Sequence, residues 1–204
     1  MASSVALGSS AALADDCGTA VAAGTSCTST GTVTLTGGTL TLTSPATLTW
    51  SGTLTGSAQS IVDALTTDQA LSVTDATGSG DGWHITTAAT TFTTGSHTLP
   101  DTGTFVFNGS TSSVTSTTAP TAACVVSMDC TLPTNTTTYP VAITTAAMTP
   151  TPSTVYDTSA STGIGAILIG YPGDNPVGWW VNVPATAFAG TYTSTVTMEI
   201  QSGP

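Results

Sequence analysis

The sequence predicts an all-β protein, an antiparallel β-sandwich of Ig-like character, and three observations carry that expectation. Thr, Ser, Gly, Ala and Val dominate the 204 residues. Thr and Val are stiff at χ1, which disfavours helix and suits a pleated surface. Apolar residues recur at every second position in segment after segment, the spacing that lines one face of a strand. No stretch beyond about ten residues shows helical periodicity. A chain of this length buries roughly 70% of its unfolded surface, and a hydrophobic content of 39% supplies a core.

The elements follow in order. Val33 and Leu35 open the alternation, then Leu40 and Leu42, then Leu48 and Trp50, with Gly37-Gly38 and Ser44-Pro45 as turns. Leu71 and Val73 predict a strand that ends in the Asp- and Gly-rich run 75–82. Trp83, Ile85 and Phe92 come next, and Phe105 and Phe107 form a short strand closed by Asn108-Gly109. Residues 110–120 are a Ser/Thr tract, read as a strand edge or exposed loop. Residues 149–153, with Pro150 and Pro152, read as a connector. Ile164, residues 166–169, 179–183 and 192–200 complete the strands. Short strands punctuated by Gly, Pro and Asn are the pattern of a sandwich.

Eleven carboxylates stand against no Lys and no Arg, a formal net charge of −11. Nucleic acid is excluded as a partner, since no side chain neutralises phosphate. An anionic membrane surface is disfavoured for the same reason, and no segment is apolar for long enough to insert in a bilayer. Catalysis finds little support. His84 and His97 are the only imidazoles, and GxSxG, HExxH and phosphate-binding Gly motifs are missing. An oxyanion would have backbone donors alone. Carboxylates converging for glycoside hydrolysis stay open, but the residues point to a protein that is no enzyme and takes no cofactor.

The four cysteines form two close pairs, Cys17 with Cys27 and Cys124 with Cys130. Four thiolates on a metal are the rival reading, but CxxC spacing is absent. Two local disulfides are expected, and with them a secreted, extracellular setting. Residues 1-14 read as the remnant of an export signal peptide, with Ala12-Leu13-Ala14 in the A-x-A form before Asp15-Asp16. A plain small-residue leader is the other reading. Residues 15-204 are expected to form one β-sandwich domain.

An internal echo joins Gly82-Trp83-His84-Ile85 to Gly178-Trp179-Trp180-Val181, 96 residues later (178 − 82). At that offset Ala89 matches Ala185, Thr90 matches Thr186 and Phe92 matches Phe188. The echo predicts equivalent strands in the two halves of the sandwich, with Phe92 and Phe188 both buried.

Two segments resemble the signatures of WxL-domain cell-surface proteins. The distal one is Tyr192, then Val196-Thr197-Met198-Glu199-Ile200, then Pro204, preceded by Ala189-Gly190-Thr191. The proximal one runs from Val73 through the Asp/Gly-rich turn to Gly82-Trp83-His84-Ile85. The similarity spans about residues 32–204. Ile85 replaces the first Leu, Met198 the second Trp and Ile200 its Leu. The resemblance implies a cell-wall protein that attaches non-covalently, with peptidoglycan or another cell-wall glycan as partner and other surface proteins as further partners. A structural subunit of a surface layer or filament is the alternative.

Glycan binding draws attention to aromatic rings, whose faces suit the C–H faces of sugars without any charge. Trp83, Trp179 and Trp180 are the expected glycan-binding residues, and Trp50 is expected in the core. Neighbours on a strand point to opposite faces, so one of Trp179 and Trp180 should lie outside. Asp75, Thr77, Ser79 and Asp81 begin like an EF-hand loop with Gly80 in sixth place, but Thr86 stands where a bidentate Glu belongs. A Gly-rich turn explains that segment without a metal. Leu99-Pro100-Asp101-Thr102-Gly103 matches the LPxTG pattern, and with no apolar segment and basic tail after it, it reads as a turn.

Overall fold

The computed structural model describes residues 15–18, 20–125 and 129–204, so the expected export signal in 1-14 lies outside the described residues. The chain divides between Thr36 and Gly37 into two units, a boundary inside the span 15-204 expected as one domain. In the first unit, β1 (Asp15–Asp16) pairs in parallel with β2 (Cys27–Thr28). The Cys17–Cys27 disulfide spans 5.1 Å between Cα atoms beside that pairing. Val33 and Leu35, expected on a strand, are 80% and 87% exposed and belong to none. Alternation alone does not make a strand, because the backbone groups need a neighbour to bond.

The second unit is an antiparallel β-sandwich. Its strands are β3 (Leu40–Thr43), β4 (Gln59–Val62), β5 (Ala70–Asp75), β6 (Trp83–Ala89), β7 (Thr93–Thr94), β8 (His97–Thr98) and β9 (Phe105–Asn108). They continue with β10 (Ala122–Cys124), β11 (Val141–Ile143), β12 (Ser153–Thr158), β13 (Gly165–Gly170), β14 (Gly178–Val183) and β15 (Val196–Ser202). Three sheets build it, in the orders β10-β13-β5-β3, β11-β9-β14-β4 and β12-β6-β15, with β7 and β8 as a separate hairpin.

Register brings the apolar residues into rows. Leu42, Val73 and Ile167 lie opposite one another in the first sheet, and Val141, Phe107 and Trp179 in the second. Tyr156, Ile85 and Ile200 make the row of the third. Their inward faces meet in a single core. Each fully buried Val, Leu, Ile or Phe contributes roughly 1.5–3 kcal/mol over its exposed state. The Cys124–Cys130 disulfide, 5.6 Å between Cα atoms, fastens the end of edge strand β10, where Cys124 faces Ile167 of β13.

The internal echo does not survive. Trp83 starts β6 in the three-stranded sheet, whereas Trp179 is in β14 of a four-stranded one. Phe92 is 4% exposed but Phe188 is 58% exposed. Pro184 is the cause: with no N–H to give a ladder, it follows the last residue of β14. The matched β6 strand runs on to Ala89, so the later half of the echo falls on a loop.

Candidate functional site

Burial withdraws the three tryptophans expected to stack on glycan. Trp83 and Trp179 are fully buried and Trp180 is 6% exposed. The Trp83 indole N–H donates to Gly163 O at 2.8 Å, and its ring stacks on Tyr156. Trp179 lies against Phe105 and Phe107 and donates to Asp68 O at 3.1 Å. Trp180 does face away from Trp179, as alternation requires, but the segment after Asn108 covers it. Its N–H donates to Ser110 O at 2.9 Å. Asn108 holds that segment in place through its Nδ2, which donates to Ser113 O and Val114 O. Gly178 makes the approach feasible, since a Cβ there would lie 1.9 Å from Ser110 O. The Ser/Thr tract is therefore a cover over β14. Trp50 is half-buried, packs against the core and donates to Trp179 O at 3.0 Å.

The loop after β5 spends its oxygens on itself. Asp75 Oδ1 accepts from Thr77 N at 2.9 Å and Thr77 Oγ1 at 2.7 Å, and Ser79 Oγ accepts from Asp81 N. Among the described residues no three His, Cys, Asp or Glu side chains gather as a metal site would require. In the LPxTG-like run Leu99 is buried. Asp101 Oδ1 accepts from Thr91 Oγ1 at 2.5 Å and Thr145 Oγ1 at 2.7 Å, which fixes the turn. His84 Nδ1 lies 2.6 Å from Gly203 O.

His97 is placed differently. Its ring stacks on Phe188, centroids 3.9 Å apart and planes 12° apart. With His97 on one face and 58% of Phe188 exposed, the other face of the phenyl ring is turned to solvent. Three local bonds hold this arrangement. Thr93 and Thr193 exchange backbone bonds at 3.0 and 2.9 Å, joining β7 to the segment that follows Phe188. Tyr192 Oη donates to Phe188 O at 3.2 Å. Gly190 packs so closely on Thr94 that a Cβ would lie 2.8 Å from its Oγ1. Thr93, Thr191 and Thr193, on the two segments so joined, are exposed. The sequence signal was available: Phe188 follows Pro184 and precedes Ala189-Gly190, a loop composition.

Two neutral grooves lie on the surface of the second unit. One, of about 360 Å³, runs between residues 44–50 and 194–198, with Trp50, Leu48, Val196 and Met198 as its apolar lining. The other, of about 340 Å³, includes Gln59, Ser60 and Asn182. The two segments that carry the WxL-like signatures are direct neighbours: Ile85 faces Ile200, and Thr87 faces Met198, across β6 and β15. In comparison with known proteins, no family model, no curated protein and no solved structure matches the chain.

Proposed function

We propose that this is an extracellular, non-catalytic surface protein that attaches non-covalently to a cell-wall glycan such as peptidoglycan. The observation that carries the reading is the Phe188 ring, stacked on His97 and largely exposed to solvent. A fixed aromatic face offers a sugar an apolar platform at little entropic cost. Exposed threonines on the same segments, Thr93, Thr191 and Thr193, offer hydrogen bonds without charge. Two disulfides fit an oxidising compartment, and the paired β6 and β15 segments bring the WxL-like residues together. A chain with net charge −11 and no Lys or Arg has no cationic grip on an anionic wall, so attachment must rest on neutral contacts.

The test is co-sedimentation of the pure protein with purified peptidoglycan over a range of ionic strength. Retention that survives high salt is expected, because screening removes only charge-based attachment. Release by salt alone, or no retention at any ionic strength, overturns the reading.

A further inference from the structure

We propose that glycan held on Phe188 continues into the neutral groove beside β4, so that the chain binds a linear, uncharged oligosaccharide and not a single sugar. This inference rests on the glycan reading and extends the same site. Register places the two features together. β9 and β14 pair as far as Phe105 opposite Val181, and Asn182 N–H carries the pairing one step on by donating to Thr104 O at 2.8 Å. The two segments meet again where His97 stacks on Phe188. The groove of about 340 Å³ is lined by residues between these meeting points, Pro100 and Thr102 from one segment and Val183 and Pro184 from the other. From Pro184 to Phe188 the chain spans at most about 14 Å. A turn closed by Ala187 N–H on Pro184 O at 3.0 Å shortens the path. A glycan of a few linked units covers that reach.

The groove suits sugar hydroxyls, each of which both donates and accepts. The Asn182 amide is fixed from both ends: Oδ1 accepts from Ser60 Oγ at 2.6 Å and Nδ2 donates to Gly103 O at 2.7 Å. An amide has two N–H groups and two lone pairs, so each end keeps a second place for a ligand. Gln59 on β4 is held in the same way, by Thr53 O and Thr55 Oγ1, both at 3.1 Å. Groups already held in place lose little freedom on binding. Charge sets the class of ligand. No side chain lining the groove is ionisable, and the carboxylate of neighbouring Asp101 is turned onto Thr91 and Thr145. An anionic ligand would find no Lys or Arg anywhere in the chain, so the occupant is uncharged.

Co-sedimentation of full-chain variants with purified peptidoglycan at high ionic strength tests the extension. Asn182→Ala should weaken retention by about tenfold or more. Because Asn182 also bonds Ser60 and Gly103, Ala58→Met supplies a second arm. Ala58 is exposed and lines the groove, so a larger side chain there obstructs it. Retention should fall by a similar factor with the unfolding midpoint unchanged. Soluble linear oligomers of N-acetylglucosamine should release the wild-type protein at concentrations about tenfold or more below those of the free sugar. If both folded variants are retained as wild type is, or oligomer and free sugar are equally potent, the extension is overturned and the Phe188 contact alone stands. If wild type itself is not retained, the glycan reading fails and the extension with it.

Discussion

The indole N–H of Trp180 donates to the backbone carbonyl of Ser110 at 2.9 Å, and that bond seats a loop on the outer face of β14. The ring buries apolar surface there while Asn108 bonds the same loop from beneath. Trp180→Ala should cost about 3–5 kcal/mol, the range for deleting a buried large aromatic. Trp180→Phe should cost less but leave Ser110 O without its donor, a loss of about 1–3 kcal/mol. Urea unfolding followed by circular dichroism measures both. An alanine variant within about 0.5 kcal/mol of wild type would show that the loop does not close over the ring.

Stability should fall at both ends of the acid range, through different carboxylates. Burial raises the Asp157 carboxyl, but bonds from Thr136 and Thr137 outweigh it and hold the group below its usual value of 3.8. Thr136 N donates at 2.6 Å and Thr136 Oγ1 at 2.5 Å, tying residues 134–137 to β12. A depressed carboxylate stabilises above its unfolded pKa, and that stability is lost as pH falls through the folded value. Asp68 is the reverse. Burial first, then the neighbouring Asp63 charge, push it up, so its contribution is complete below 3.8 and fades as pH rises through the folded value. Asp157→Asn should flatten the acid limb of the stability profile and Asp68→Asn the opposite limb. Thermal unfolding from pH 2 to 8 reads both, and unchanged limbs in the variants refute the assignment.

The Cys124–Cys130 disulfide closes a loop of sequence separation 6, for which loop entropy predicts about 2–3 kcal/mol. A Cys124→Ala/Cys130→Ala variant should lose that amount in denaturant unfolding, with the loss centred on edge strand β10 in hydrogen exchange. Equal protection of β10 in variant and wild type would contradict the role given to the bridge.

The strands legible in the sequence are those whose residues are large and apolar on the buried face. Leu71 and Val73, Trp83 and Ile85, Phe105 and Phe107, and residues 166–169 fall on β5, β6, β9 and β13 as the alternation predicts. β4, β10 and β11 were missed because their segments, Gln-Ser-Ile-Val, Ala-Ala-Cys and Val-Ala-Ile, are short edge strands with one to three apolar anchors. β12 was hidden by Pro150 and Pro152, which made residues 149–153 read as a connector although Val155 and Tyr156 after them are core residues. Val33 and Leu35 show the reverse error: alternation without a neighbour. At the candidate site, size misled. Indole rings are the obvious sugar platforms, but their area favours the core, and the rings left exposed at the surface are the smaller Phe188 and Tyr171.

Phe188 is where glycan attachment is tested most directly. Phe188→Ala removes only a surface ring, so the variant should fold as wild type does, with unfolding midpoints close together. Retention on purified peptidoglycan at high ionic strength should drop by about tenfold or more, the loss of roughly 1.4 kcal/mol or more of stacking. His97→Ala should produce a smaller drop, because the phenyl ring stays but loses its support. Wild-type retention by a folded Phe188→Ala chain would contradict the account.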